Sequence, residues 1–207
     1  MMRALIVFSV LLLSGCVSLL PEPPPPPRLY ALDAGAVARL EGARLDAAIA
    51  IAAPVGERAL MGADLVWRTG DQVAFVARTQ WSQHAGEALR SLLVETMTRQ
   101  GGFNAVMRQG VARGDYELRW EVIDFEIRDA SMSARFVADV SLIAAASGRV
   151  LASETIVAEA PVAARSASAA AEALTRAARE GGARIGVFAA GAAGRAQAQA
   201  SAASINR

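Results

Sequence analysis

Few residues in this chain have the type and spacing to do chemistry. His84 is the only histidine and Cys16 the only cysteine. A lone imidazole with no carboxylate pair at ligand spacing makes neither a metal cluster nor a base for a nucleophile, so His84 reads as a surface or capping residue. No serine sits in a Gly-x-Ser-x-Gly turn, and Ser82, after Trp81, reads as a helix cap. Asp124, Glu126 and Asp129 form a carboxylate group, but strand alternation puts Asp124 and Glu126 with Arg128 on a solvated face. Gly101-Gly102 and Gly181-Gly182 are isolated pairs rather than phosphate loops, and the chain has no lysine to serve a Walker motif. Trp120 lies mid-strand among apolar neighbours and reads as core. Trp67 and Trp81 stay open between packing and a partner surface. These residues predict no enzyme, no metal site and no cofactor.

Cys16 differs because of what precedes it. Met1-Met2-Arg3, an apolar run from Ala4 to Leu13, and the small residues Ser14-Gly15 make a secretory signal peptide over residues 1–15. The run is shorter than the roughly 20 residues that a spanning helix needs. Leu13-Ser14-Gly15-Cys16 also resembles a bacterial lipobox, where the thiol receives a diacylglycerol, cleavage falls just before the cysteine, and the new amine is acylated. Cys16 is therefore the candidate lipidation site, and two or more acyl chains would anchor the chain stably. Val17, rather than an aspartate, follows it. By resemblance to enterobacterial sorting this implies the periplasmic face of the outer membrane. Pro21 and Pro23 to Pro27 then predict an extended polyproline spacer, so residues 16–27 form a lipidated stalk. Residues 17–27 could span up to about 35 Å.

The folded body is expected over residues 28–189. Arg28 to Asp33 is a short strand candidate. Leu45, Ala47, Ile49 and Ile51 alternate along a second strand that ends at Pro54. Leu65 to Trp67 and Val73 to Val76 flank Thr69-Gly70-Asp71, a hairpin signal. A helix runs from about Ser82 to Gln100 with Ala85, Leu89, Leu92, Leu93, Thr96 and Met97 on one stripe. Phe103 to Met107 is another strand. From Tyr116 to Ile127 the apolar parity changes between Val122 and Ile123, which predicts a β-bulge in a long strand. Ala134 to Leu142 and Val150 to Ala158 complete an antiparallel meander. Ser166 or Ser168 opens a last helix, which Gly181-Gly182 is expected to bend or end. Residues 190–207 lack large apolar side chains and predict a flexible tail. The fold class is α/β (α+β): a single domain with a mixed, largely antiparallel sheet and two main helices packed on it.

Charge narrows the partners. There are 21 basic residues against 20 acidic, and removal of Arg3 with the leader leaves the mature chain neutral. The arginines are interspersed with acids, so nothing displaces the counterions of a nucleic acid.

The order of elements resembles the ABC-type transport auxiliary lipoprotein family, the PqiC-like lipoproteins. The resemblance rests on several pieces in sequence. A lipobox and proline stalk precede Tyr30-Ala31-Leu32, a strand ending near Pro54, a hairpin, and an Ala77-to-Trp81 lead-in to a helix. Gly102-Phe103 and the Asp115-Tyr116-Glu117-Leu118 strand with Phe125 follow. The resemblance implies a non-enzymatic outer-membrane subunit of a transport system that moves lipids between the two membranes. Its implied partners are a mammalian-cell-entry (MCE) domain protein, an ABC permease and an ATPase, with self-assembly into a homo-oligomer to match them. The alternative is an envelope-assembly or structural lipoprotein that binds an outer-membrane protein or the cell wall.

Overall fold

The computed structural model describes residues 24–205, with side chains to residue 203. Cys16, the leader and the first part of the stalk therefore lie outside the described residues. The strands are β1 (Arg28–Tyr30), β2 (Leu45–Ile51), β3 (Val55–Gly56), β4 (Asp64–Thr69), β5 (Gln72–Trp81), β6 (Phe103–Arg108), β7 (Tyr116–Arg128), β8 (Ser133–Ala144) and β9 (Val150–Pro161). The helices are a single turn α1 (Arg58–Met61), α2 (Ala85–Gln100) and the 39-residue α3 (Ala167–Ile205).

All nine strands join one mixed sheet. Its long ladders, β7 with β8 and β8 with β9, are antiparallel, as the meander predicts. On its other side β7 receives short parallel pairings from β2, β3 and β4 in turn. β6 extends the sheet beyond β2, and β5 with β1 beyond β4. The expected bulge is present: the β7–β8 register shifts between Val122 and Asp124. Phe125 and Ile127 turn inward as expected. Ile123, the extra residue, stays 45% exposed instead of joining the core.

Both long helices cover one face of this sheet. α2 presents the predicted stripe, with Ala85, Leu89, Leu92, Leu93, Thr96 and Met97 all buried, each large aliphatic contributing about 2 kcal/mol. The helix starts at Ala85 with His84 at the N-cap position and no side-chain cap bond, so Ser82 is not its cap. Gly101 ends it in the left-handed conformation, its N–H donating to the carbonyl of Met97. In α3 the Ser166 hydroxyl accepts from the N–H of Ala169 at 3.3 Å, as an N-cap does.

Gly181-Gly182 does not bend or end α3. These glycines are where the helix meets the sheet and α2. A β-carbon on Gly181 would lie 2.3 Å from Cδ1 of Phe136, and one on Gly182 would lie 2.9 Å from Cδ2 of Leu92. The contacts they allow let the helix run unbroken through the site of the expected break. Residues from 190 on are also helical to Ile205 rather than a flexible tail. Ala189, Ala192 and Ala193 are buried, and Gly194 passes within contact reach of Leu45. Small side chains let the backbone approach closely, which substitutes for the missing bulk. Two elements have no sequence signal, β3 and α1; both are too short to show a period.

Candidate functional site

The face of the sheet away from the helices carries the concentrated polar chemistry of the described residues. After the bulge, β7 points Asp124, Glu126 and Arg128 to this side. The expected face is right, but the expected solvation of Glu126 is not: its carboxylate is wholly buried. Arg68, from β4, explains this. Its Nε donates to both carboxylate oxygens, at 2.7 and 2.9 Å. Arg128 Nε lies 2.7 Å from the same carboxylate, although it is not aligned to donate. A buried carboxylate survives only with such partners.

The pairing continues sideways. Arg128 also donates to Asp124 at 3.0 Å, and Arg135 of β8 donates to the other Asp124 oxygen at 2.8 Å. Arg135 then reaches Glu159 on β9. Six side chains thus alternate in sign across β4, β7, β8 and β9. Hydrogen bonding to Glu126 holds the Arg68 guanidinium above its ordinary pKa, with burial opposing. Asp124 does the same for Arg135, followed by Glu159. Lower on the sheet the polar character persists: Thr155 donates to Asp139, and Ser141 pairs with Ser153.

The sequence-predicted residues fall in different places. Trp67 is half-buried against the core, and its indole N–H donates to Asp129 at 2.9 Å. Asp129 also accepts from Arg165 at 2.5 Å. The Arg165 bond, then the indole bond, hold the Asp129 carboxyl below its usual range. Trp81 is not a partner surface: it is 3% exposed, ends β5 and stacks on Phe125 with ring centroids 5.7 Å apart. Trp120 is buried, as expected, and donates to the carbonyl of Ala52 at 3.0 Å. His84 is exposed and makes no side-chain hydrogen bond or ion pair among the described residues. Cys16 lies outside the described residues.

Among the described residues no group of three or more His, Cys, Asp or Glu side chains could hold a metal ion, and no helix is long and apolar enough to cross a membrane. A surface groove of about 460 Å³ runs beside Leu40, Leu45, Gly102, Val187, Gly191 and Gly194. The arginine–carboxylate row was not legible as a unit because Arg68 and Glu126 are 58 residues apart.

The fold and its open face define a single α/β domain whose exposed chemistry is paired charge. This chain belongs to the ABC-type transport auxiliary lipoprotein component family, whose model matches residues 30–186. A crystal structure of a DUF330-family protein from Xanthomonas campestris is similar at a TM-score of 0.77 and 22% identity, over 83% of this chain and 99% of that one. A second crystal structure, of an uncharacterized protein, matches at 0.64 and 15% identity, over 79% and 99%. Both show the same fold. No curated protein matches in sequence.

Proposed function

We propose that this chain works as a non-enzymatic docking lipoprotein. It would be held by acyl chains on Cys16 at the periplasmic face of the outer membrane, as one component of an MCE-type ABC system that moves lipids between the membranes. The observation that carries this is membership of a transport auxiliary lipoprotein family over residues 30–186. The candidate leader and lipobox supply the anchor, and the prolines supply a spacer between lipid and domain.

The open face suits contact with a protein partner. Its charges are already paired within the chain, so covering it strands few of them. Recognition would then come from the pattern of alternating charge and from shape, since the mature chain is neutral. ATP hydrolysis would belong to another subunit, because the chain has no lysine for a phosphate loop.

The test is affinity purification of the tagged, membrane-extracted protein in mild detergent from its own cells. The expected result is an MCE-domain protein retained with its permease and ATPase. Retention of a β-barrel protein or of cell-wall material in their place would overturn the proposal in favour of an envelope-assembly role.

A further inference from the structure

The β4–β5 hairpin leaves an edge unused. β1 pairs only with Thr79, Gln80 and Trp81 of β5, so the outer side of β5 from Gln72 to Arg78 has no strand partner among the described residues. This stretch also carries the exposed apolar side chains Val73 and Phe75, at 40% and 53%. They sit opposite Arg68 and Val66 of β4, on the face away from the helices. Leu29 of β1, 62% exposed, is in register with Gln80 on the same face. An exposed, unpaired apolar edge is a liability unless something covers it.

Two further observations say what covers it. First, β1 runs parallel to β5, so the chain preceding Arg28 heads along this edge toward the hairpin tip. Pro25 and Pro26 already line a recess with Arg28, Ala77, Arg78 and Ala167. The stalk therefore leaves the domain at this end. Second, Arg28 and Arg78 are exposed and neither meets a carboxylate or other hydrogen-bond partner among the described residues. The hairpin turn offers one exposed acid, Asp71. Arg78 holds a φ of 52° inside the β5 irregularity, a left-handed conformation that non-glycine residues rarely adopt.

We propose that this edge is the face on which the domain rests against the bilayer. Leu29, Val73 and Phe75 dip into the headgroup boundary, and Arg28 and Arg78 meet lipid phosphates. The proposal rests on the Cys16 anchor reading, because only a tether starting there brings this end of the domain to the surface.

The experiment supplies the anchor chemically, so that the two readings fail separately. The chain from residue 16 on is coupled through its single cysteine to a maleimide-headgroup lipid. It is placed in vesicles of phosphatidylcholine and phosphatidylglycerol whose acyl chains carry bromine. Phe75→Trp is compared with Val150→Trp, which sits at the opposite end of the meander, each after subtraction of the parent emission. The added emission of Phe75→Trp should fall about two-fold, as for a side chain about 5–10 Å into the headgroup boundary, while that of Val150→Trp should stay unchanged. Arg28→Gln with Arg78→Gln, or vesicles of phosphatidylcholine alone, should remove most of that quenching. Equal quenching at both positions, or none at Phe75→Trp, overturns the proposal. So does protection from hydrogen exchange, without vesicles and in an oligomer, of those Gln72–Arg78 amides that do not bond β4, which would make a second copy the occupant of the edge. Failure of the anchor itself would appear elsewhere, as a free Cys16 thiol in protein taken from cells.

Discussion

Replacing Gly181 with alanine tests how α3 is seated. In an open helix the change stabilises, because glycine costs about 1 kcal/mol relative to alanine. Here the new β-carbon would lie 2.3 Å from Cδ1 and 2.5 Å from Cε1 of Phe136, where carbon atoms prefer about 3.5–4.0 Å. Phe136 is 1% exposed and packed edge-on against Phe125 at 6.3 Å, so it has nowhere to turn. An overlap of more than 1 Å in such a core falls at the upper end of the usual overpacking cost of about 1–3 kcal/mol. The helix gain offsets part of it, leaving a net loss of about 2 kcal/mol. For a domain of this size that lowers Tm by about 4–8 °C. Gly191→Ala is the control, since the nearest atom to its β-carbon is the Arg195 guanidinium at 3.4 Å; it should raise Tm by about 2 °C. Thermal unfolding followed by circular dichroism, with the cysteine blocked, reads both. If Gly181→Ala raised Tm as Gly191→Ala does, the close seating of α3 on β8 would be wrong.

Two other expectations concern the paired carboxylates. Glu126→Gln keeps the shape but leaves Arg68 and Arg128 facing a neutral amide, and should cost about 1–3 kcal/mol in urea unfolding; Arg68→Met combined with it should cost less than the two single changes added together. An effect no larger than that of a surface substitution, about 0.5 kcal/mol, would refute the buried pairing. The lowered Asp129 pKa stabilises the fold above the unfolded carboxyl value near 3.9, and that stability is lost as pH falls through the lower folded value. Asp129→Asn should therefore reduce Tm at neutral pH and converge with the parent in acid; a constant difference across the acid range would contradict the pairing with Arg165 and Trp67.

Much of the fold was legible because its long elements obey simple periods. The α2 stripe from Ala85 to Met97 follows the helical repeat, and β7 shows its bulge as a parity change at Val122 and Ile123. What was hidden depended on distant partners. Glu126 looked solvated because nothing near it in sequence indicates that Arg68 will cover it. Gly181-Gly182 looked like a helix break because propensity does not include Phe136 approaching from another strand. The end of α3 looked flexible because alanine and glycine bury little area, yet they also permit the close approach that retains Ala192 and Ala193. Trp81 was ambiguous because the sequence did not show that β5 extends past its irregularity, which puts that ring on Phe125 instead of at the surface. Of the candidate site, the carboxylates and their face were readable, whereas the row they form was not.

The central claim is that this auxiliary domain works from a lipid tether, and the mass of the mature protein tests it most directly. Intact-mass and N-terminal peptide analysis of protein extracted from its native membranes should find a chain that begins at Cys16, carrying a diacylglycerol on sulfur and an acyl chain on the new amine. A chain that retains its leader, or begins at Cys16 with a free thiol, would contradict the account.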